Sequence, residues 1–208
     1  MDALERSIII DIDGTLYDNF SRDDRNIIIK LFEKNILVKL LDKFLWSINS
    51  LDLISNPMHM LKLRLKIYSI LSFKNFKNVE KDYKYMYQHL LKIDLEKKIN
   101  ALKRISEIYD IILVTSNVYA ISILCEFLKY DIIYSSNVTS RRKQIKAISC
   151  DKTVSYVIGN NYTDDIFLAK KINTLSIYIG KSILKKAFKA NFNVLSFINI
   201  LEILEDGS

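Results

Sequence analysis

Ser7-Ile8-Ile9-Ile10-Asp11-Ile12-Asp13-Gly14-Thr15-Leu16-Tyr17-Asp18-Asn19 decides how the rest of the chain is read. Three consecutive isoleucines describe a strand buried on both faces, the kind found in parallel sheets. The run stops at Asp11-Ile12-Asp13, and Gly14 lets the backbone turn where a side chain would resist. Residues two apart on an extended chain point the same way, so the carboxylates of Asp11 and Asp13 converge just past the strand end. In open parallel sheets that edge is where ligands sit. Two negative charges placed together repel unless a cation joins them or one takes a proton, and both remedies serve chemistry.

Downstream, the pattern changes twice. From Ser21 to about Leu95 the sequence reads as helices. Asp24 or Ser21 is a candidate cap for the first, and Ile28, Leu31, Phe32, Leu37, Leu41, Phe44 and Leu45 carry its apolar period. Ser55-Asn56-Pro57 marks a break, with Pro57 suited to a first helical turn. Leu61, Leu65, Tyr68 and Leu71 form a second helical face, and residues 81–91 read as a third helix with Tyr83, Tyr87, Leu90 and Leu91 on its apolar side. His59 and His89 stand alone and read as surface or packing residues. Beyond position 95, helices over 95–108, 118–129, 141–149, 163–171 and 196–204 alternate with strands over 110–115, 131–134, 153–158 and 174–179. That alternation describes a parallel sheet with helical crossovers. The expected architecture is α/β: a Rossmann-like core of residues 1–20 and 96–208 flanked by helices, with an inserted helical cap over 21–95.

The opening stretch resembles the first motif of the haloacid dehalogenase (HAD) superfamily, whose members are mostly magnesium-dependent phosphatases. Three further segments resemble that family's remaining motifs, in order and each at or just past a strand end. Ile111-Ile-Leu-Val-Thr-Ser-Asn117 ends a buried strand in hydroxyls and an amide, groups that with free backbone N–H can hold a phosphate oxygen. By resemblance Thr115, with Ser116 beside it, takes the phosphate-binding place. Lys143 opens an amphipathic run, Lys143-Gln-Ile-Lys-Ala-Ile148, and is similar to the third-motif lysine that offsets phosphoryl charge; Arg141, Arg142 and Lys146 are its rivals. Val157-Ile-Gly-Asn-Asn-Tyr-Thr-Asp-Asp165 resembles the fourth motif. There the family's first acid, often a direct metal ligand, is replaced by Asn160, which removes one negative charge. Asp164 and Asp165 are alternative second acids: the placement of Ala169 favours Asp165, and the shorter loop favours Asp164. The insert after the first motif resembles the helical-cap branch that includes phosphoglycolate phosphatases.

The resemblance implies a mechanism. Asp11 attacks phosphorus and Asp13 serves as general acid, then base. Mg²⁺ is held by Asp11, the Asp13 carbonyl and the fourth-motif group, Asn160 with Asp164 or Asp165, an all-oxygen set that this ion prefers. The acid at Asp13 argues against dehalogenation, because halide leaves without a proton. The implied substrate is a small phosphorylated metabolite, and a basic cap also suits a nucleotide; a sugar phosphomutase shares the same centre. Asn160 motivates the opposing reading, a weakly active or inactive relative that binds a phosphorylated ligand or a protein partner. Specificity is expected on the inner cap face, including Tyr17, Asn19 and some of the tyrosines between Tyr83 and Tyr87, although a tyrosine stripe also reads as packing.

Composition is consistent with this picture. A chain of 208 residues accommodates one domain and an insert, and four glycines with one proline leave little room for flexible linkers. The formal net charge is +7, and all of it falls between Ser21 and Asn100, where 16 Lys and Arg face 9 Asp and Glu. Such a surface concentrates anionic ligands. Cys125 and Cys150 build no disulfide framework and imply no disulfide-linked partner; Cys125, in an apolar helical pattern, reads as a buried thiol. Residues 27–46 are interrupted by Lys30, Glu33, Lys34, Lys39, Asp42 and Lys43, which excludes a membrane-spanning helix there. With no signal peptide apparent, the expected compartment is a reducing cytoplasm.

Overall fold

The computed structural model describes residues 6–17, 20–49, 57–135, 138–161, 165–180 and 190–206. Six strands form one parallel sheet in the order β3-β2-β1-β4-β5-β6: β1 (Arg6–Asp11), β2 (Asp110–Thr115), β3 (Asp131–Tyr134), β4 (Thr153–Gly159), β5 (Leu175–Ile179) and β6 (Phe192–Val194). Strand order reverses between β1 and β4, and the crevice outside the strand ends at such a switch point is where doubly wound sheets bind ligands. Five of these strands follow the sequence pattern; β6, three residues long, is too short to leave one.

The isoleucines of β1 explain why this strand is central. Ile8 and Ile10 are fully buried in the larger core cluster, which includes residues from α4 (Phe76–Ser106), α5 (Val118–Phe127) and α8 (Ile200–Asp206). Ile9 points the other way, onto Ile112, Val114, Val157 and the residues Ile145, Leu168 and Ala169 of α6 (Val138–Asp151) and α7 (Phe167–Lys171). From Ile8 to Ile10 the strand has water on neither side, and the apolar run stops where the strand does. Asp11 is that end.

Between β1 and β2 lie four helices: α1 (Phe20–Leu31), α2 (Ile36–Asn49), α3 (Pro57–Leu71) and α4. Pro57 starts α3 as expected. The first expected helix is two, separated at residues 32–35, and the second has its own cap in Asn35, whose Oδ1 accepts from the Val38 N–H at 3.1 Å. Asp24 caps nothing; it lies within α1 and is 3% exposed. A larger correction concerns 81–91 and 95–108, which form a single helix of 31 residues. Its buried positions, Val79, Tyr83, Tyr87, Leu91, Leu95, Lys98, Leu102 and Ile105, recur every three or four residues without interruption. Asn75 caps it, and Lys103 and Arg104 lie in its last turn, where cations suit the helix dipole. Position 95 is mid-helix, so the insert and the sheet share one continuous element.

Cys125 and Cys150 are free and both exposed. The expected burial of Cys125 fails because α5 buries the face of Tyr119, Ala120 and Leu124, and position 125 is turned about 100° from its neighbour on a helix of 3.6 residues per turn. Among the described residues no helix is long and apolar enough to cross a membrane.

Candidate active site

The register aligns the carboxyl ends of three strands. Asp11 pairs with Val114, so Thr115 follows it on β2, and Ile10 pairs with Ile158, so Gly159 and Asn160 follow on β4. Three of the four motif segments therefore meet at the switch point.

After β1 the chain makes a compact turn. Ile12 N–H still bonds to the Val114 carbonyl at 3.1 Å; then Leu16 N–H returns to the Asp11 carbonyl at 3.3 Å and Tyr17 N–H to the Ile12 carbonyl at 2.8 Å. These five-residue closures make a wide turn of the π type. Gly14, at φ 89°, completes it by donating to the Tyr17 carbonyl at 2.9 Å. Its missing side chain has a second use. A Cβ there would stand 1.9 Å from Asn160 Nδ2, so only glycine lets the Asn160 amide lie against the Asp11–Asp13 turn. Gly159 plays the same part for the other fourth-motif residue, since a Cβ there would stand 2.0 Å from Asp165 Oδ2. Asp165 is buried and accepts from the Asn161 N–H at 3.0 Å, just past the end of β4. Asp164 lies outside the described residues.

Asp11 is 7% exposed, at the floor of the rim, and Asp13 is half-buried above it. The Tyr87 hydroxyl donates to Asp13 Oδ1 at 2.7 Å. Burial foremost, then the Asp13 charge, pushes the Tyr87 phenol well above its usual range, so it remains a protonated donor. Thr115 is fully buried, its Oγ1 accepting from Asn117 N–H at 2.9 Å; Ser116 beside it is half-buried. Asn117 then caps α5 by accepting from Tyr119 N–H at 3.0 Å. The Thr15 hydroxyl, also fully buried, has no partner among the described residues. Lys143 is exposed and does not open the helix as expected: α6 begins at Val138, which makes Lys143 its sixth residue, and no ion pair joins it to an acid among the described residues. Its rival Arg142 lies 5.2 Å over the Phe167 ring.

Two residues at this site carry no motif signal. Tyr87 is one. Lys98 is the other: only 3% exposed, it donates to the Leu16 carbonyl and pairs with Asp94 at 3.1 Å. The buried Asp94-x-x-x-Lys98 pair on an otherwise apolar helical stripe is the trace Lys98 leaves in the sequence. Tyr17, an expected specificity residue, is instead 1% exposed and donates to Asp23 at 3.0 Å, with its ring against Phe20 and Tyr87. Asn19 lies outside the described residues.

The donors gathered here are oxygen: the Asp11 carboxylate, the Asp13 carbonyl and the Asn160 amide. No sulfur or imidazole is among them, which suits a hard cation such as Mg²⁺ that retains several waters. Among the described residues no three His, Cys, Asp or Glu side chains cluster as a metal cage.

No protein-family model and no curated protein matches the sequence. Solved structures do match over nearly the whole chain. One is from Bacillus subtilis, YfnB, named as a HAD hydrolase and determined bound to magnesium: 16% identity, TM-score 0.63, covering 97% of this chain and 99% of that one. Another is a HAD phosphatase from Thermococcus onnurineus, at 15% identity and TM-score 0.56, covering 96% and 97%. With its 3-2-1-4-5-6 parallel sheet and helical insertion after β1, the chain has the α/β Rossmann-like fold of the HAD hydrolases.

Proposed function

We propose that this chain is a HAD-superfamily hydrolase of the helical-cap branch, a Mg²⁺-dependent phosphatase releasing phosphate from a small phosphomonoester. The observation that carries the reading is the placement of Asp11 and Asp13 at the end of β1, where strand order reverses, with Thr115 and Asn160 at the ends of the two flanking strands.

In the first half-reaction an Asp11 carboxylate oxygen forms a bond to phosphorus as the ester P–O bond breaks, and Asp13 gives its proton to the departing oxygen. In the second, Asp13 takes a proton from water, whose oxygen attacks phosphorus and returns Asp11 as carboxylate with free phosphate. Thr115, Ser116 and Lys143 hold the phosphoryl oxygens. Asp11, the Asp13 carbonyl and Asn160, with Asp164 or Asp165, would hold the metal, which when bound neutralises phosphoryl charge. Residues 21–95 serve as the cap that selects the leaving group, and the two free thiols suit a reducing cytoplasm.

A screen of phosphorylated metabolites, nucleotides included, tests this by phosphate release with Mg²⁺ and with EDTA. Expected is release from at least one small monoester that stops in EDTA; release unaffected by EDTA sinks the metal-dependent reading. Dependence on a catalytic bisphosphate, with the phosphate returned to substrate, identifies a mutase instead.

Asn160 supports a second reading, of a feeble catalyst that chiefly binds. Restoring the charge separates the two. Asn160→Asp is expected to lower the Mg²⁺ concentration for half-maximal activity about tenfold, the effect of roughly 1.4 kcal/mol in binding. A metal titration of both proteins measures it, and an unchanged midpoint removes Asn160 from the metal shell.

A further inference from the structure

Helix α4 grips the turn that carries Asp13 at two points. Tyr87 holds the Asp13 carboxylate, and three turns further along Lys98 holds the Leu16 carbonyl. The Tyr87 ring is fully buried and has little freedom: Tyr17 and Phe20 meet it edge-on, with centroids at 5.7 and 6.1 Å, and Tyr83 stacks on it at 6.4 Å and 11°. Its neighbour Tyr83 sends its hydroxyl elsewhere, to Asp24 at 2.5 Å. A tyrosine kept only for packing has no need of a hydroxyl. Phenylalanine would fill the same space, and a buried phenol requires a partner.

We infer that Tyr87 is the positioning residue for the general acid: its hydroxyl, donating to Asp13 Oδ1, turns the carboxyl group so that the transferable proton resides on Oδ2, facing the leaving oxygen. The inference rests on the phosphatase reading and adds to it a residue outside all four motifs. The proton balance is simple. Oδ2–H breaks as the leaving oxygen gains its hydrogen, the carboxylate so formed keeps the Tyr87 hydrogen bond, and the attacking water later returns a proton to Oδ2. Throughout, Tyr87 only donates.

A group that orients the acid matters in proportion to how much proton the leaving group needs, and a packing role has no such dependence. Tyr87→Phe is therefore compared with wild type on p-nitrophenyl, phenyl and simple alkyl phosphates at one pH. The loss in kcat/KM is expected to grow along the series, from within about threefold for p-nitrophenyl phosphate to about 30-fold for the alkyl ester, a fraction of the usual worth of a general acid. KM should stay within about twofold, since a group acting on the transition state alone lowers kcat. Tyr83→Phe, which removes a hydroxyl one turn away, should give a flat series. Site-specific 3-fluorotyrosine at position 87, which keeps ring and hydroxyl and guards against a folding defect in the Phe variant, should restore the wild-type slope. Equal loss on all esters, or none, overturns the inference while leaving the phosphatase standing. A wild-type chain inert towards every ester ends both.

Discussion

Asp11→Asn is expected to abolish phosphate release while leaving the fold as stable as before, or more so. The side chain keeps its shape, but an amide oxygen lacks the charge that the proposed nucleophile needs, and no neighbour is expected to take over. Asp13, two residues further on, is engaged by Tyr87. Removing a nucleophile of this kind costs about 10⁴-fold or more in kcat, equivalent to roughly 5 kcal/mol of transition-state stabilisation. The stability half of the prediction has the opposite sign from most buried substitutions. Asp11 is 7% exposed at the floor of the rim with Asp13 two residues away, and neighbouring carboxylates repel in the absence of a cation. A melting temperature that holds or rises, measured without metal, identifies Asp11 as a group maintained for chemistry at some expense to the fold. Acid-quenched wild type should carry phosphate on the peptide containing Asp11, and the variant should not. Turnover that survives in Asp11→Asn removes the nucleophile from this position.

What could be read before folding, and what could not, follows from the range of each physical signal. The Ile8-Ile9-Ile10 run needs no partner to be interpreted, because only a strand covered on both faces suits it, and both core clusters do cover it. The strand-end positions of Asp11, Asp13, Thr115 and Asn160 were legible for the same reason: each follows a buried apolar run. The continuity of α4 was not. Asp94 falls between the expected helices 81–91 and 95–108, and Lys98 lies four residues further on. Their charges are in fact consumed internally, by each other and by the Leu16 carbonyl, 82 residues away in sequence. Tyr87 was legible as part of a tyrosine stripe but not as a partner of Asp13, since the stripe says which face is buried and not which hydroxyl meets a carboxylate 74 residues upstream. Asp24 failed differently. A local rule placed it at a helix start, and a long-range ion pair drew it into the interior.

That ion pair yields the largest expected effect on stability. Arg64 of α3 reaches Asp24 of α1 at 3.1 Å and Asp42 of α2 at 2.6 Å, and Tyr68 and Tyr83 donate to the same two carboxylates at 3.0 and 2.5 Å. Arg64 is 9% exposed and each aspartate 3%. Burial alone would lower the guanidinium pKa, but Asp24 and Asp42 more than offset it, so the arginine stays charged. Three helices of the insert thus converge on one cation. Arg64→Met fills similar space yet strands two carboxylates close together in the interior. Breaking a buried pair in this way costs about 3–5 kcal/mol. At roughly 2–4 °C per kcal/mol for a chain of this size, the melting temperature should fall by about 6–20 °C, read by calorimetry or circular dichroism. Adding Asp24→Asn and Asp42→Asn to Arg64→Met should recover most of that loss, because neutral amides still accept from Tyr68 and Tyr83 and no longer repel. A cation that merely filled space would leave the single variant within a degree or two of wild type, and stranded charge would then play no part in holding α1, α2 and α3 together. Recovery in the triple variant assigns the loss to charge, and a triple variant as unstable as the single one assigns it to the shape of the arginine instead.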